Sequence, residues 1–313
     1  MGAMVRPLSL AQHTLYADLL EQGSADLFDP ELPENGSILV RPGGAGANVP
    51  FGQVYYQGYR PASGEVSKGQ RFATYLGRAD DPSVAARIGR FQQVKAVRAE
   101  RSITVRALIG AGMPHPNRIT GRIIEALARG GLFPDDAVLL GHAACQTYTG
   151  ILGVRLSKPI CPVTDQPVIA LAARNDDHLG PVLPALRTID PTFAAMPGTE
   201  ATYRSASGVQ VVVTITRRVD DDEFNLTGFL IARAVRTVVL YGPGIPVTVP
   251  APERYVAHAQ IRQTQPDSTW LAELIDGLAL AGRDHALAAA LEEAVASEKR
   301  LLMPSACTHS PGR

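Results

Sequence analysis

At 313 residues, 45% hydrophobic and 19% charged, the chain has a globular composition and the length to bury a large core or hold two domains, which excludes a disordered tail or linker. Thirty Lys and Arg against thirty Asp and Glu exclude a global pull toward nucleic acid or an anionic membrane. The charge is uneven, however: residues 78–129 carry ten basic and four acidic residues. No apolar run of about 18 residues is present, and Met1 to Arg6 lacks the apolar stretch of a signal peptide. Cys145, Cys161 and Cys307 have no CxxC or Cys/His metal spacing. The expectation is a soluble, cytoplasmic protein with reduced thiols and no membrane partner.

In chain order, residues 7–33 suggest an amphipathic helix with Leu15, Leu19 and Leu20 on one face, closing near Gly23. Ile38 to Val40 reads as a short strand. Pro42 to Asn48 is glycine-rich but lacks the Lys-Ser/Thr ending of a P-loop, which favours a surface loop. Val54–Arg60 and Gln70–Leu76 alternate aromatic and polar residues around Pro61, Gly64 and Gly69, as in a hairpin. Their rings suit cross-strand pairing on a half-buried sheet, with nucleobase stacking as the sharper alternative. Asp80-Asp81-Pro82 opens a long helix. Its Arg87, Arg90, Lys95, Arg98 and Arg101 form either a solvated basic face or a surface for phosphate or an acidic partner. Ile119 to Arg129 is a compact helix stopped by Gly130-Gly131.

The centre of the chain is Ala137 to Leu152. An apolar strand, Ala137–Leu140, breaks at Gly141-His142 and passes into a helix-compatible run. Such a turn points free backbone N–H groups at the helix start, an arrangement that suits phosphate. Pro162 to Ala173 is a second apolar strand, and residues 177–190 a loop and helix. Val209 to Thr216, rich in β-branched residues, is the strongest strand signal. Residues 232–240 and 247–249 add apolar strands, and helices follow at 253–263, 268–280 and 285–296.

Four segments carry a resemblance: Gly141-His142-Ala143-Ala144, Leu152-Gly153-Val154-Arg155-Leu156, Tyr203-Arg204-Ser205-Ala206-Ser207-Gly208 and Val249-Pro250-Ala251-Pro252-Glu253-Arg254-Tyr255. In that order they resemble a bacterial branch of nucleotidyltransferase-fold proteins within the DNA polymerase β-like superfamily, over roughly residues 50 to 300. The resemblance implies an α/β (α+β) fold: a small mixed sheet flanked by helices, an N-terminal hairpin-plus-helix region and a helical C-terminal tail. The expected organisation is 1–130 for the N-terminal region, 131–250 for the nucleotidyltransferase-like domain, 251–300 for the helical region and 301–313 for the tail. It further implies ATP or another nucleotide as ligand, with Gly141, His142, Arg204 and Arg254 as binding candidates. For both arginines, structural ion pairing is the competing expectation.

The family's chemistry needs an Asp-x-Asp pair on one strand and a third carboxylate on its neighbour, because two Mg²⁺ ions require several carboxylate oxygens. Here the matching positions are Gln166 and Val168 on one strand, or Pro167 and Ile169 if the alignment slips by one, and Val212 on the next. Asp165 stands one residue out of phase. A hydroxyl residue expected after Gly141 is His142, and a lysine expected after the Pro-Glu-Arg-Tyr segment is Ala259. The expectation is therefore no catalytic residue set, no Mg²⁺ site and a pseudoenzyme serving as a nucleotide-binding or regulatory module. Two alternatives stay open. One is an active transferase with relocated ligands, Asp165 together with Asp220-Asp221-Asp222-Glu223. The other is a protein or nucleic-acid interaction module using the hairpin and the basic 78–129 region. Both the acidic run and Asp176-Asp177-His178 read first as solvated turn segments.

Overall fold

A computed structural model describes residues 5–23, 27–43, 51–60, 70–133, 136–157, 168–173, 179–197, 201–215, 226–262 and 269–302. The first strand, β1 (Arg6–Pro7), leads into α1 (Leu10–Glu21). Ser9 and Gln12 form a reciprocal capping box that starts this helix, and Gly23, at φ +61°, lies just past its end. The helix is thus shorter than the pattern over 7–33. Its buried face is Gln12, Tyr16 and Leu19, and Leu20 points outward.

Next comes an antiparallel sheet of β2 (Ser37–Arg41), β3 (Gln53–Arg60) and β4 (Gln70–Arg78), in that order. The aromatics pair across strands as expected of a half-buried sheet. The Tyr55 and Tyr75 rings lie 5.4 Å apart, and Tyr56 meets Phe72 at 6.0 Å. Tyr56 also meets Phe91 edge-on, at 5.9 Å, on the long helix α2 (Pro82–Gly110). Asp81 caps that helix and Pro82 occupies its first turn.

The basic stripe of α2 is partly solvent-exposed, but its side chains are engaged. Arg87 pairs with Glu31, Arg90 with Glu31 and Asp29, and Arg98 with Glu125. Lys95 donates to Gly36 O at 2.9 Å and Arg98 to Leu27 O at 3.0 Å. These contacts wrap the 27–36 segment onto the helix. Partly exposed ion pairs contribute about 0–1 kcal/mol each, whereas burying rings such as Tyr56 and Phe91 contributes about 1.5–3 kcal/mol apiece. The rings hold the hairpin to α2, and the charges set the path of the wrap.

Arg101 is a separate case. It is only 2% exposed, and no carboxylate pairs with it among the described residues. Its guanidinium donates to Leu19 O (3.0 Å) and Gln22 Oε1 (3.1 Å) at the end of α1, and to Pro243 O (2.9 Å) and Gly244 O (3.1 Å) across the molecule. Burial alone lowers its pKa, and the carbonyl dipoles offset part of the desolvation cost.

After α3 (Arg118–Arg129), which Asn117 caps, comes β5 (Ala137–Leu140). The turn at Gly141 follows, then α4 (Gly141–Cys145) and α5 (Tyr148–Leu152). Gly150 sits inside α5 rather than breaking it, because a Cβ there would fall on the Tyr16 ring of α1. The chain continues through β6 (Val154–Arg155), which pairs with β1, to β7 (Val168–Ala173), α6 (Val182–Arg187), β8 (Ala194–Met196), β9 (Ala201–Arg204) and β10 (Gln210–Ile215). These build a mixed five-stranded sheet, β5-β7-β10-β9-β8, in which only β7 and β10 run parallel. One face carries Leu139, Ile169, Leu171, Val211 and Val213, packed on Ile123, Ile124 and Leu127 of α3 in the main core.

The rest is α7 (Leu226–Ile231), the hairpin β11 (Val235–Val239) and β12 (Ile245–Val249), and three helices, α8 (Pro252–Ile261), α9 (Thr269–Leu280) and α10 (Asp284–Leu302). The architecture is the expected α+β one, a mixed sheet between helices with a helical C-terminal region.

Replacing Arg101 with Met keeps the aliphatic bulk but strands four acceptors. We expect Arg101→Met to cost about 3 kcal/mol or more in urea denaturation; a change under about 0.5 kcal/mol would show the carbonyl set to be incidental.

Candidate functional site

The site expected from sequence lies on the second face of the central sheet. Register assigns its positions. Leu140, Ala170, Val212 and Thr202 form one rung across β5, β7, β10 and β9. Val168, Gln210 and Arg204 form the next. Position 168 and Val212, where the family pattern asks for carboxylates, therefore share a face with Arg204 and with the end of β5, from which the Gly141 turn departs. Register sets position 168, Val212 and Arg204 on one face, and Leu140 on that face leads into Gly141 and His142 across three strand spacings from Arg204. Asp165, Gln166, Asp176-Asp177-His178 and Asp220 to Glu223 lie outside the described residues.

Gly141 has φ +65°, a left-handed conformation that favours glycine, and a Cβ there would stand 4.0 Å from that of Ala170. The helix start it creates has no side-chain cap, so the first backbone N–H groups of α4 have no intrahelical partner. His142 is partly buried, and its Nε2 accepts from the Gln146 amide at 3.0 Å one turn on. That contact calls for the tautomer with the proton on Nδ1, an atom that is buried without a partner among the described residues. Burial pushes the His142 pKa below its ordinary value. The ring is therefore neutral near pH 7 and supplies no charge to an anion.

Arg204 is exposed and makes no hydrogen bond or ion pair among the described residues. Arg254 is 2% exposed and fully engaged. Its Nε donates to Phe229 O at 2.7 Å, its two terminal nitrogens hold Glu293 at 2.8 and 2.9 Å, and its guanidinium lies 4.0 Å from the centre of the Phe229 ring. That bond to Arg254 holds the Glu293 carboxyl below its usual range.

The Pro-Glu-Arg-Tyr segment is a structural junction. Pro252 starts α8, Glu253 pairs with Arg283 at 2.9 Å, and Arg254 ties α7 to α10. Tyr255 packs edge-on against Tyr148 (5.7 Å) and Trp270 (5.9 Å). Its hydroxyl bonds to the buried Cys145, and burial raises its pKa. Through Cys145 and Tyr148 the segment locks the helices after Gly141 against the C-terminal helices.

The fit of the family's metal pair can be tested on these rungs. The described face positions of β5, β7 and β10 are Val138, Leu140, Val168, Ala170, Ala172, Gln210, Val212 and Thr214, with no carboxylate among them. Among the described residues no three His, Cys, Asp or Glu side chains are grouped to hold a metal ion. These residues do not fit a pair of hard divalent cations.

The chain joins a small mixed sheet, a glycine turn feeding a helix and a helical C-terminal region in one α+β architecture. Residues 118–308 match the nucleotidyltransferase family, and the chain belongs to it. The match begins at α3, a narrower span at the N-terminal side than the resemblance from residue 50. No curated protein and no solved structure matches the chain. No helix among the described residues is long and apolar enough to cross a membrane.

Structural ion pairing, the competing expectation for Arg254, is what the structure shows, whereas Arg101, grouped by sequence with the basic face, is buried; an arginine's partners in sequence-distant carbonyls leave no local pattern. The pKa directions give a pH test. His142 and His258 are both lowered by burial, His258 further by Arg262. Below the unfolded value of about 6.5 the unfolded chain binds protons that the folded chain refuses, so stability falls as pH drops from there toward the lowered folded values. The urea midpoint should decline between about pH 7 and 5, and less steeply in the His142→Gln, His258→Gln double variant; an unchanged slope would contradict the assignment.

Proposed function

We propose that this chain is a degenerate member of the bacterial branch of the polymerase β-like nucleotidyltransferases, a cytoplasmic pseudoenzyme that serves as a nucleotide-binding or regulatory module. The observation that carries this reading is the register that sets Val212, a position where the family pattern asks for a carboxylate, beside Ala170 on the face that Leu140 shares. Two-metal transfer needs oxygens at such positions to neutralise charge on the attacking and leaving groups, and valine offers none.

Anion binding needs less than catalysis does. The start of α4 has no side-chain cap, and Arg204 is exposed on the face that Leu140, just before Gly141, shares. They stand about 14 Å apart across three strand spacings, a gap the long arginine side chain narrows. Neutral His142 contributes its backbone N–H. Arg254 acts by holding the α7–α8–α10 junction in place, since its donors are already taken.

A calorimetric titration with ATP tests this. Binding should have the same Kd in excess EDTA as in Mg²⁺, and Arg204→Glu should weaken it by about tenfold. Binding that requires Mg²⁺ would instead favour a working transferase with relocated ligands, and no binding in either condition would remove the nucleotide from the proposal.

A further inference from the structure

A second site lies away from the Gly141 turn. A cavity of about 610 Å³ opens between the N-terminal sheet, α2, α3 and the end of α6. It includes no residue of the Gly141 turn, β7 or β10. Its volume falls within the range of small-molecule sites, about 300–1,000 Å³.

The wall has two kinds of surface. Tyr59 and Phe72, from the aromatic hairpin, line one side, and Tyr59 is 51% exposed. Charged residues of α2, α3 and the 33–35 segment line the other. Most of that charge is compensated: Arg98 is paired with Glu125 and Arg129 with Glu34. Arg122 is not. It is exposed, lines the cavity and makes no hydrogen bond or ion pair among the described residues. The cavity therefore carries one surplus positive charge beside an aromatic wall, with the Asn35 amide also on the lining.

We propose that this cavity binds one nucleotide unit, its base stacked on Tyr59 and its phosphate held by Arg122. The argument is one of matched chemistry. An aromatic ring accepts any base by its π-face, and a guanidinium fork pairs with phosphate oxygens. One uncompensated cation suits the single negative charge of a phosphodiester or the phosphate of a mononucleotide. An inorganic anion leaves the rings unused, and a neutral aromatic leaves the arginine unused. The unit comes either from a free mononucleotide or from a single strand, and both present the same base and phosphate. This site is independent of the Gly141 face, and either can fail without the other.

The test uses the full-length chain, titrated with AMP, adenosine, inorganic phosphate and a short single-stranded DNA. AMP or the DNA should bind, adenosine and phosphate more weakly than AMP, and Arg122→Glu and Tyr59→Ala should each weaken binding by about tenfold. Both residues are exposed, and thermal unfolding checks that the variants remain folded. AMP binding tighter than the strand identifies a mononucleotide site; the reverse order, with salt-dependent affinity, identifies a strand site. Absence of binding to both probes overturns the proposal. So does binding that both variants leave within about twofold of the parent. Binding lost in Arg204→Glu but retained in Arg122→Glu belongs to the Gly141 face and likewise overturns it.

Discussion

The register between β7 and β10 is the constraint on which the rest depends. These two strands run parallel, with Val168 opposite Gln210 and Ala170 opposite Val212. Side chains alternate along a strand, so a slip of one residue would exchange the two faces of the sheet. The slip is opposed by burial of Ile169, Leu171, Val211 and Val213 against α3. Burying four branched side chains contributes about 1.5–3 kcal/mol each, far more than any polar contact on the opposite face. The core thus decides which positions the other face presents, among them Val212 beside Ala170.

A second constraint joins the N-terminal part of the chain to the family portion that begins at Arg118. Arg101 reaches from α2 to carbonyls of α1 and of the turn between β11 and β12. Tyr16 adds to this from α1, its hydroxyl 2.6 Å from Thr237 Oγ1 and 3.0 Å from Val238 O on β11. The basic stripe of α2 is consumed in a similar way by the 27–36 segment. Arg122 on α3 stays exposed, as do Arg106 and Arg118, and of these three Arg122 lines the cavity beside the aromatic hairpin. Charge that looks in sequence like one interaction surface is divided in space between internal clamps and exposed guanidiniums.

Much of the fold was legible because local patterns and tertiary demands agree. Val209 to Thr216 reads as a strand and forms β10; Asp81-Pro82 reads as a helix start and caps α2. The turn at Gly141 was legible for the same reason, since a glycine between an apolar strand and a helix-compatible run has few other uses. Gly150 was misleading: alone it suggests a break, and only the Tyr16 ring, distant in sequence, explains its place within α5. The short strands β6, β8 and β9 were illegible because each takes its conformation from a neighbour, not from its own residues. For the site, the sequence pattern pointed to positions 166, 168 and 212, and the geometry added that Arg204 shares the face of 168 and 212 while Arg254 is committed to Glu293.

The central claim is that this nucleotidyltransferase-family chain has lost the oxygens that would hold two metal ions. Transfer of label from ATP to candidate acceptors, measured across a Mg²⁺ and Mn²⁺ series with Asp165→Ala as control, tests it most directly. The account predicts no metal-dependent transfer by either protein. Turnover that rises with metal concentration and vanishes in Asp165→Ala would contradict it.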